Sequence, residues 1–285
     1  DLYNLFNHNI IYEIRLQQAL EEDLLCPFHY FGISDLWVDD VPINIEDGNI
    51  SFSNLSKNER VDKIIEQIRF FGHSGSRVKG LVFCSNKVEA KELSDAFNTK
   101  GIYRTIALTG EDSQEKREDA IARLAGSGDY EVLRRDEQLD YIFTVDIFNE
   151  GVDIPEVNQV IMLRQTESPI VFIQQLGRGL RKFEDKEYVV ILDFIGNYSN
   201  SYMIPLALSG DRSYNKDTLR KYVQSGNRII PGKSTVHFDA IAKKRIFAAI
   251  DEAKLNDSKL IKDAYFDLRY KLGRIPNISD FKNYG

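Results

Sequence analysis

Two short runs of this 285-residue sequence carry residue types suited to a phosphorylated ligand. The first is Thr144-Val-Asp-Ile-Phe-Asn-Glu-Gly-Val-Asp-Ile-Pro155, in which an apolar stretch runs into Glu150-Gly151, then Asp153, then Pro155. Gly151 has no Cβ and lets the backbone approach a ligand closely. Pro155 keeps Ile154 out of the helical region and fixes the exit of the loop. Asp153 would then lie beyond a strand end, where a carboxylate can accept a ribose hydroxyl, and Thr144 could offer its hydroxyl to a phosphate. Taken alone, a Gly-x-Asp-x-Pro run also fits a solvated turn. The second run is Gln174-Gln-Leu-Gly-Arg-Gly-Leu-Arg181. On a wheel of about 100° per residue, Ile173, Leu176 and Leu180 share one helix face. Gln174, Arg178 and Arg181 form a separate stripe. One face would pack on a sheet while the other presents an amide and two guanidiniums, whose planar forks match a phosphate group. Gly177 and Gly179 cost such a helix about 1 kcal/mol each against Ala, so both are expected to serve close backbone approach.

The elements that must position these runs alternate regularly from about residue 56. The pattern predicts a helix over 57–71, with Val61, Ile64, Ile65 and Ile68 on one face, and a strand over 80–84. A helix over 87–99 stops at Gly101. A strand over 103–108 precedes a helix with Asp112 as N-cap and Glu115 completing a capping box. Strands over 141–147 and 159–163 follow. A helix opened by Ser168-Pro169 then runs to about Arg181, and a last strand covers 187–193. Strands alternating with helices make an α/β fold, a parallel sheet with helices on both faces. Ligands gather at the carboxyl ends of such strands, and both runs are expected there. Before this region lies a helix near 11–25 and then an irregular stretch with Pro27, Pro42 and Gly48. After it lie helices over 239–252 and 259–272. Three segments are therefore expected: an N-terminal linker over 1–55, the alternating domain over 56–200, and a mainly helical C-terminal segment over 201–285.

With this order and spacing, the chain resembles the second, C-terminal RecA-like domain of a superfamily 2 helicase or translocase. Gly80-Leu-Val-Phe-Cys-Ser-Asn86 is similar to motif IV of that family, Glu150-Gly-Val-Asp-Ile-Pro155 to motif V, and Gln174-x-x-Gly-Arg-x-x-Arg181 to motif VI. The resemblance implies that Arg178 and Arg181 reach the γ-phosphate of ATP, with Arg181 as the arginine finger, and that Gln174 shares that surface. It implies that Gly151 and Asp153 line the nucleotide. It places Ser85, Asn86, Thr109, Gly110, Thr144 and, less directly, Arg117 near a nucleic-acid backbone. DEAD-box RNA helicases usually show His-Arg-x-Gly-Arg-x-Gly-Arg, and this chain departs at Gln174-Gln175 and Leu180. It looks more like DNA-translocating members related to type III restriction subunits and UvrB. The implied function is the second motor domain of an ATP-dependent nucleic-acid helicase or translocase acting on DNA. ATP with magnesium would be held jointly with a first RecA-like domain absent from this chain. The alternative is a non-catalytic platform that binds nucleic acid or protein.

Composition narrows the classes. No apolar run approaches the roughly 18 residues of a membrane span, so no membrane partner is expected. Two cysteines, with no Cys-x-x-Cys, exclude a disulfide scaffold and a cysteine-rich zinc site, and fit a reducing, cytoplasmic setting. The net charge of −7 is uneven: residues 1–55 hold one basic and ten acidic residues, while residues 201–285 hold 16 basic and 9 acidic. Lys243-Lys244-Arg245, Arg269, Lys271 and Arg274 could contact phosphates, or could be solvated helix faces. The segment Gly226-Asn-Arg-Ile-Ile-Pro-Gly-Lys-Ser234 imitates a phosphate loop, but it has five residues between its glycines and a proline inside, so a surface turn is expected. No acidic strand end offers a magnesium site. The chain starts at Asp1 without an initiator Met and is read as a piece of a longer protein, unable to hydrolyse ATP by itself.

Overall fold

Short runs of Val, Ile, Leu and aromatic residues become strands buried on both faces, because helices cover both sides of the sheet. A computed structural model describes residues 16–34, 37–38, 41–42, 57–126, 137–145, 154–164, 169–196, 200–210, 215–225, 233–253, 262, 265–266, 268–270 and 272–283. In chain order the elements are α1 (Leu16–Glu21), β1 (Phe28–Ser34), a small antiparallel pair β2 (Trp37–Val38) and β3 (Val41–Pro42), and α2 (Lys57–Phe71). Next come β4 (Gly80–Phe83), α3 (Lys87–Lys100), β5 (Thr105–Leu108), α4 (Gln114–Ala125), β6 (Tyr141–Thr144) and β7 (Gln159–Met162). Then follow α5 (Pro169–Gly177), β8 (Val189–Ile195), α6 (Met203–Ser209), α7 (Lys216–Ser225), β9 (Thr235–Phe238), α8 (Ala240–Glu252) and a 3₁₀ turn over Ile278–Asn283.

Seven strands form one sheet in the order β5-β6-β4-β7-β8-β1-β9, and every pairing is parallel. One face packs Leu124, Phe172, Leu176, Ile204, Leu219 and Ile246 into a single apolar cluster. The other packs Val61, Ile64, Ile68, Leu93 and Phe97 from α2 and α3. The expected α/β parallel sheet with helices on both faces is the observed fold.

Several local expectations are corrected. The stretch after Pro27 is not irregular: Phe28–Ser34 forms β1, seated between β8 and β9, with Phe28 and Tyr30 fully buried. The helix expected over 239–252 is α8, and Asp239 caps it by accepting from the Ala242 amide at 2.6 Å. The N-cap of α4 is Ser113, whose hydroxyl accepts from the Lys116 amide at 3.3 Å. Asp112 instead accepts from the amide of Thr109 at 2.7 Å. The last strand of the alternation starts two residues later than expected, at Val189. Of the basic C-terminal residues, Arg245 is buried and donates to the carbonyl of Ile195, and Arg274 pairs with Asp280 at 2.7 Å. Most of the phosphate-loop imitation, residues 226–232, lies outside the described residues.

β1 is locked in place by packing and by a hydrogen bond. The Tyr30 hydroxyl donates to Asp193 Oδ2 at 2.5 Å, tying β1 to β8 through a buried carboxylate. A Cβ added at Gly32 would lie 2.4 Å from the Phe238 ring and 2.9 Å from Ile195 Cδ1. Overfilling such a site costs about 1–3 kcal/mol. Gly32→Ala is therefore expected to lower the free energy of unfolding by about that amount in a denaturant titration. An unchanged midpoint would mean that β1 is not held between β8 and β9.

Candidate functional site

A parallel sheet has two unlike edges, and each return helix must carry the chain from the carboxyl edge of one strand to the amino edge of the next. The expected site residues divide between those edges. At the carboxyl edge, Ser85 and Asn86 follow β4, Thr109 and Gly110 follow β5, and Thr144 ends β6, on three adjacent strands. At the amino edge, Arg178 and Arg181 follow α5. There the Leu180 carbonyl accepts from the amide of Cys26, two residues before β1, at 2.7 Å. The expectation that both phosphate-suited runs sit at carboxyl ends is therefore corrected for the second. Gly151 and Asp153 lie outside the described residues, which resume at Ile154 on the way to β7.

The carboxyl-edge loops are organised by buried or locally paired groups. Asn86 caps α3 by accepting from the Glu89 amide at 2.9 Å. Glu89 is buried, receives the Ser85 amide at 2.7 Å, and pairs with the buried Arg60 at 2.9 Å. Neither Glu89 nor Arg60 was singled out from sequence, although Asn86-x-x-Glu89 has capping-box spacing. The amide and hydroxyl of Thr109 donate to Asp112 at 2.7 and 3.2 Å. The partnered Lys116 ammonium holds the Asp112 carboxyl below its usual range. Arg117 Nη2 donates to the Gly110 carbonyl at 2.9 Å, so this guanidinium supports the loop. Lys87 and Glu111 bridge the two loops at 2.5 Å. Ser85, Asn86 and Gly110 are exposed, Thr109 is half-buried, and Thr144 is fully buried, its hydroxyl without a hydrogen-bond partner among the described residues. The α3 and α4 N-termini open on this edge, and their first-turn amides favour anions.

The amino-edge group departs from the expected helix stripe. α5 ends at Gly177, and the chain continues in tight turns with amide-to-carbonyl bonds three residues apart, from Arg178 to Gln175, Gly179 to Leu176 and Leu180 to Gly177. Gly177 and Gly179, either side of Arg178, weaken the helix where its last turn tightens. Only Gly179 serves close approach: a Cβ there would meet Val189 Cγ1 at 2.9 Å and Val160 Cγ2 at 3.2 Å, whereas one at Gly177 meets nothing within 4 Å. Gln174 and Arg178 are half-buried and Arg181 is exposed, with Leu176 and Leu180 buried beneath them.

Lys186, also unread in the sequence, sits behind this turn. Its buried ammonium donates to the carbonyls of Val157 at 3.0 Å, Gly179 at 2.9 Å and Pro155. Burial pushes its pKa down to about 8, against the favourable charge of Glu156. Asn158 pins the neighbouring loop, donating to the carbonyls of Ser74 and Arg77 at 2.6 and 2.8 Å. Among the described residues, no group of three or more His, Cys, Asp or Glu could hold a metal ion, and no helix is long and apolar enough to cross a membrane.

Residues 56–183 match the helicase conserved C-terminal domain. A putative ATP-dependent helicase of Saccharomyces cerevisiae, IRC3, is 26% identical over 207 residues, covering 72% of this chain and 28% of its own. A putative mitochondrial ATP-dependent helicase of Schizosaccharomyces pombe is 30% identical over 160 residues, covering 55% and 25%. The chain thus spans about a quarter of the length of these relatives. A probable ATP-dependent RNA helicase of Methanocaldococcus jannaschii is 25% identical over 128 residues, covering 45% and 30%. Among solved structures, the Type ISP restriction-modification enzyme LlaBIII, bound to DNA, shares the fold with a TM-score of 0.52 and 17% identity, covering 95% of this chain and 21% of that one.

Two outcomes are expected of the buried charges. Arg60→Met strands the Glu89 carboxylate in the interior, so stability should fall by about 3–5 kcal/mol. Adding Glu89→Gln should recover part of that loss in the same denaturant titration. Lys186 has a folded pKa below its unfolded value of 10.5, so the unfolded chain holds the extra proton between about 8 and 10.5. Across that window, wild type should gain stability relative to Lys186→Met as pH rises. A constant difference would mean that the ammonium is not buried.

Proposed function

We propose, from the premise that residues 56–183 belong to the helicase conserved C-terminal domain family, that this chain is the second motor domain of an ATP-dependent nucleic-acid helicase or translocase. The observation that carries the proposal is the arginine turn. Arg178 and exposed Arg181 follow a helix whose end is pressed onto the sheet by Gly179 and Leu180. The turn is suited to present guanidiniums to a phosphate across a domain boundary. Arg181 is assigned as the finger that meets the γ-phosphate of ATP, Arg178 as its companion, and Gln174 as part of the same surface. Gly151 and Asp153 are assigned to the nucleotide, with Asp153 on the ribose. Magnesium is assigned to the first RecA-like domain.

The opposite edge is assigned to the nucleic-acid backbone. Exposed Ser85, Asn86 and Gly110, with half-buried Thr109, surround two helix N-termini whose amides suit phosphate oxygens. Arg117 is assigned to hold that loop. Thr144 lies beneath it and would need the loop to move before its hydroxyl could reach a phosphate. The separation of arginine turn and track onto two edges supports a motor, because nucleotide chemistry and strand contact then occupy different surfaces of one rigid sheet. DNA is the assigned track, supported by the departures from the RNA-helicase pattern at Gln174-Gln175 and Leu180.

The deciding experiment is the ATPase rate of the full-length protein with and without nucleic acid, comparing DNA with RNA, wild type beside Arg181→Ala. The expected result is DNA-stimulated turnover that falls by about 10³-fold or more in the variant. The 285-residue chain alone should show no turnover. Equal rates in wild type and variant would remove Arg181 from the chemistry. Absence of turnover in either would favour a non-catalytic binding platform, and preferential stimulation by RNA would overturn the choice of DNA.

A further inference from the structure

The Lys186 ammonium joins three points that the chain visits separately. Pro155 and Val157 flank the place where the loop after β6 enters β7, and Gly179 is the centre of the arginine turn. Pro155 also ends the run that carries Gly151 and Asp153. We propose that Lys186 is the positioning residue that holds this loop exit and the arginine turn in one register, so that the turn carrying Arg178 and Arg181 keeps a fixed place against the entry to β7. The proposal rests on the motor reading above and adds the residue that positions its arginine turn.

The chemistry of the group supports that role. An ammonium has three N–H donors and no acceptor, and here all three have main-chain carbonyls to meet. Carbonyls do not vary with side-chain identity, so the clamp fixes backbone to backbone. A buried apolar side chain would fill the same space without uniting the two segments. The titratable groups facing the amine are Cys26, on the segment entering β1, together with Glu156 and Lys79. The backbone amide of Cys26 holds the Leu180 carbonyl, so the clamp is flanked by a second tie to the same turn. Loss of the proton would leave two donors for three carbonyls and set a lone pair against the third.

The test has two independent readouts. In the full-length protein, Lys186→Met should lower kcat for nucleic-acid-stimulated ATP hydrolysis by about 10–100-fold, as misplacement of reacting groups does. The KM for ATP should stay within about 3-fold, because the contacts to ground-state nucleotide remain. The ratio of wild-type to variant kcat should narrow above the amine pKa of about 8. Over the same range the stability of wild type relative to the variant should rise, so a loss of fold cannot produce the trend. In the 285-residue chain, hydrogen exchange should accelerate in Lys186→Met at both 154–158 and 177–181, and not at 105–112. Faster exchange at one segment alone, or a kcat within about 2-fold of wild type, would overturn the proposal. Paired acceleration in a protein whose full-length form shows no ATPase would keep the clamp and discard the motor reading.

Discussion

In a parallel sheet every strand begins at one edge and ends at the other, and the rest of this structure follows from that constraint. Each crossover must span the sheet, so a helix that leaves a carboxyl edge delivers its own C-terminus to the amino edge. α3 and α4 therefore start where Ser85, Asn86, Thr109 and Gly110 lie, while α5 ends on the far side, carrying Arg178 and Arg181 there. The order β5-β6-β4-β7-β8-β1-β9 sharpens the division. The first group occupies β5, β6 and β4, and the second group is gathered around β7, β8 and β1.

Charges buried in this frame are placed where one loop must be held against another. Glu89 receives an amide from the loop before it and an ion pair from α2. Asp193 takes the hydroxyl of Tyr30, whose own ionisation is pushed far up by burial. Lys186 meets carbonyls from two connections. An ionised group in the interior is costly unless its hydrogen-bonding capacity is met. Each of these groups stabilises one particular arrangement of chain segments more than it stabilises compactness in general.

The periodic part of the chain was legible in its residues. Apolar spacing located α2, α3 and the central strands, because a helix or strand with a buried face must repeat at its own period. The runs over 144–155 and 174–181 stood out as clusters of glycine, arginine and proline, although Gly151 and Asp153 lie outside the described residues. β1 escaped notice because the sequence after Pro27 mixes histidine and glycine among its aromatics. Its partners β8 and β9 lie far along the chain, and strand formation there depends on tertiary pairing more than on propensity. The end of α5 was missed for a different reason. Ile173, Leu176 and Leu180 keep helical spacing in the sequence whether or not the helix continues, so periodicity alone does not mark where α5 stops. Lys186 was invisible, as a lysine in Glu-Asp-Lys-Glu reads as surface until the carbonyls around it are known.

That early end of α5 changes how two arginines can be pre-organised. On a continuous helix, the axis would set their spacing, and side-chain rotamers would do the rest. Here the backbone itself is fixed at successive points. Gly179 lies against Val160 and Val189, Leu180 is buried with its carbonyl held by Cys26, and the Gly179 carbonyl is held by Lys186. Anchoring the main chain on both sides of Arg178 and just before Arg181 removes backbone entropy before any ligand arrives. A phosphate meeting this turn would therefore find its main chain already fixed, which spares the cost of ordering a loop. Gly179 makes that fixed base possible, because the absence of a Cβ there lets the turn lie flat on the sheet.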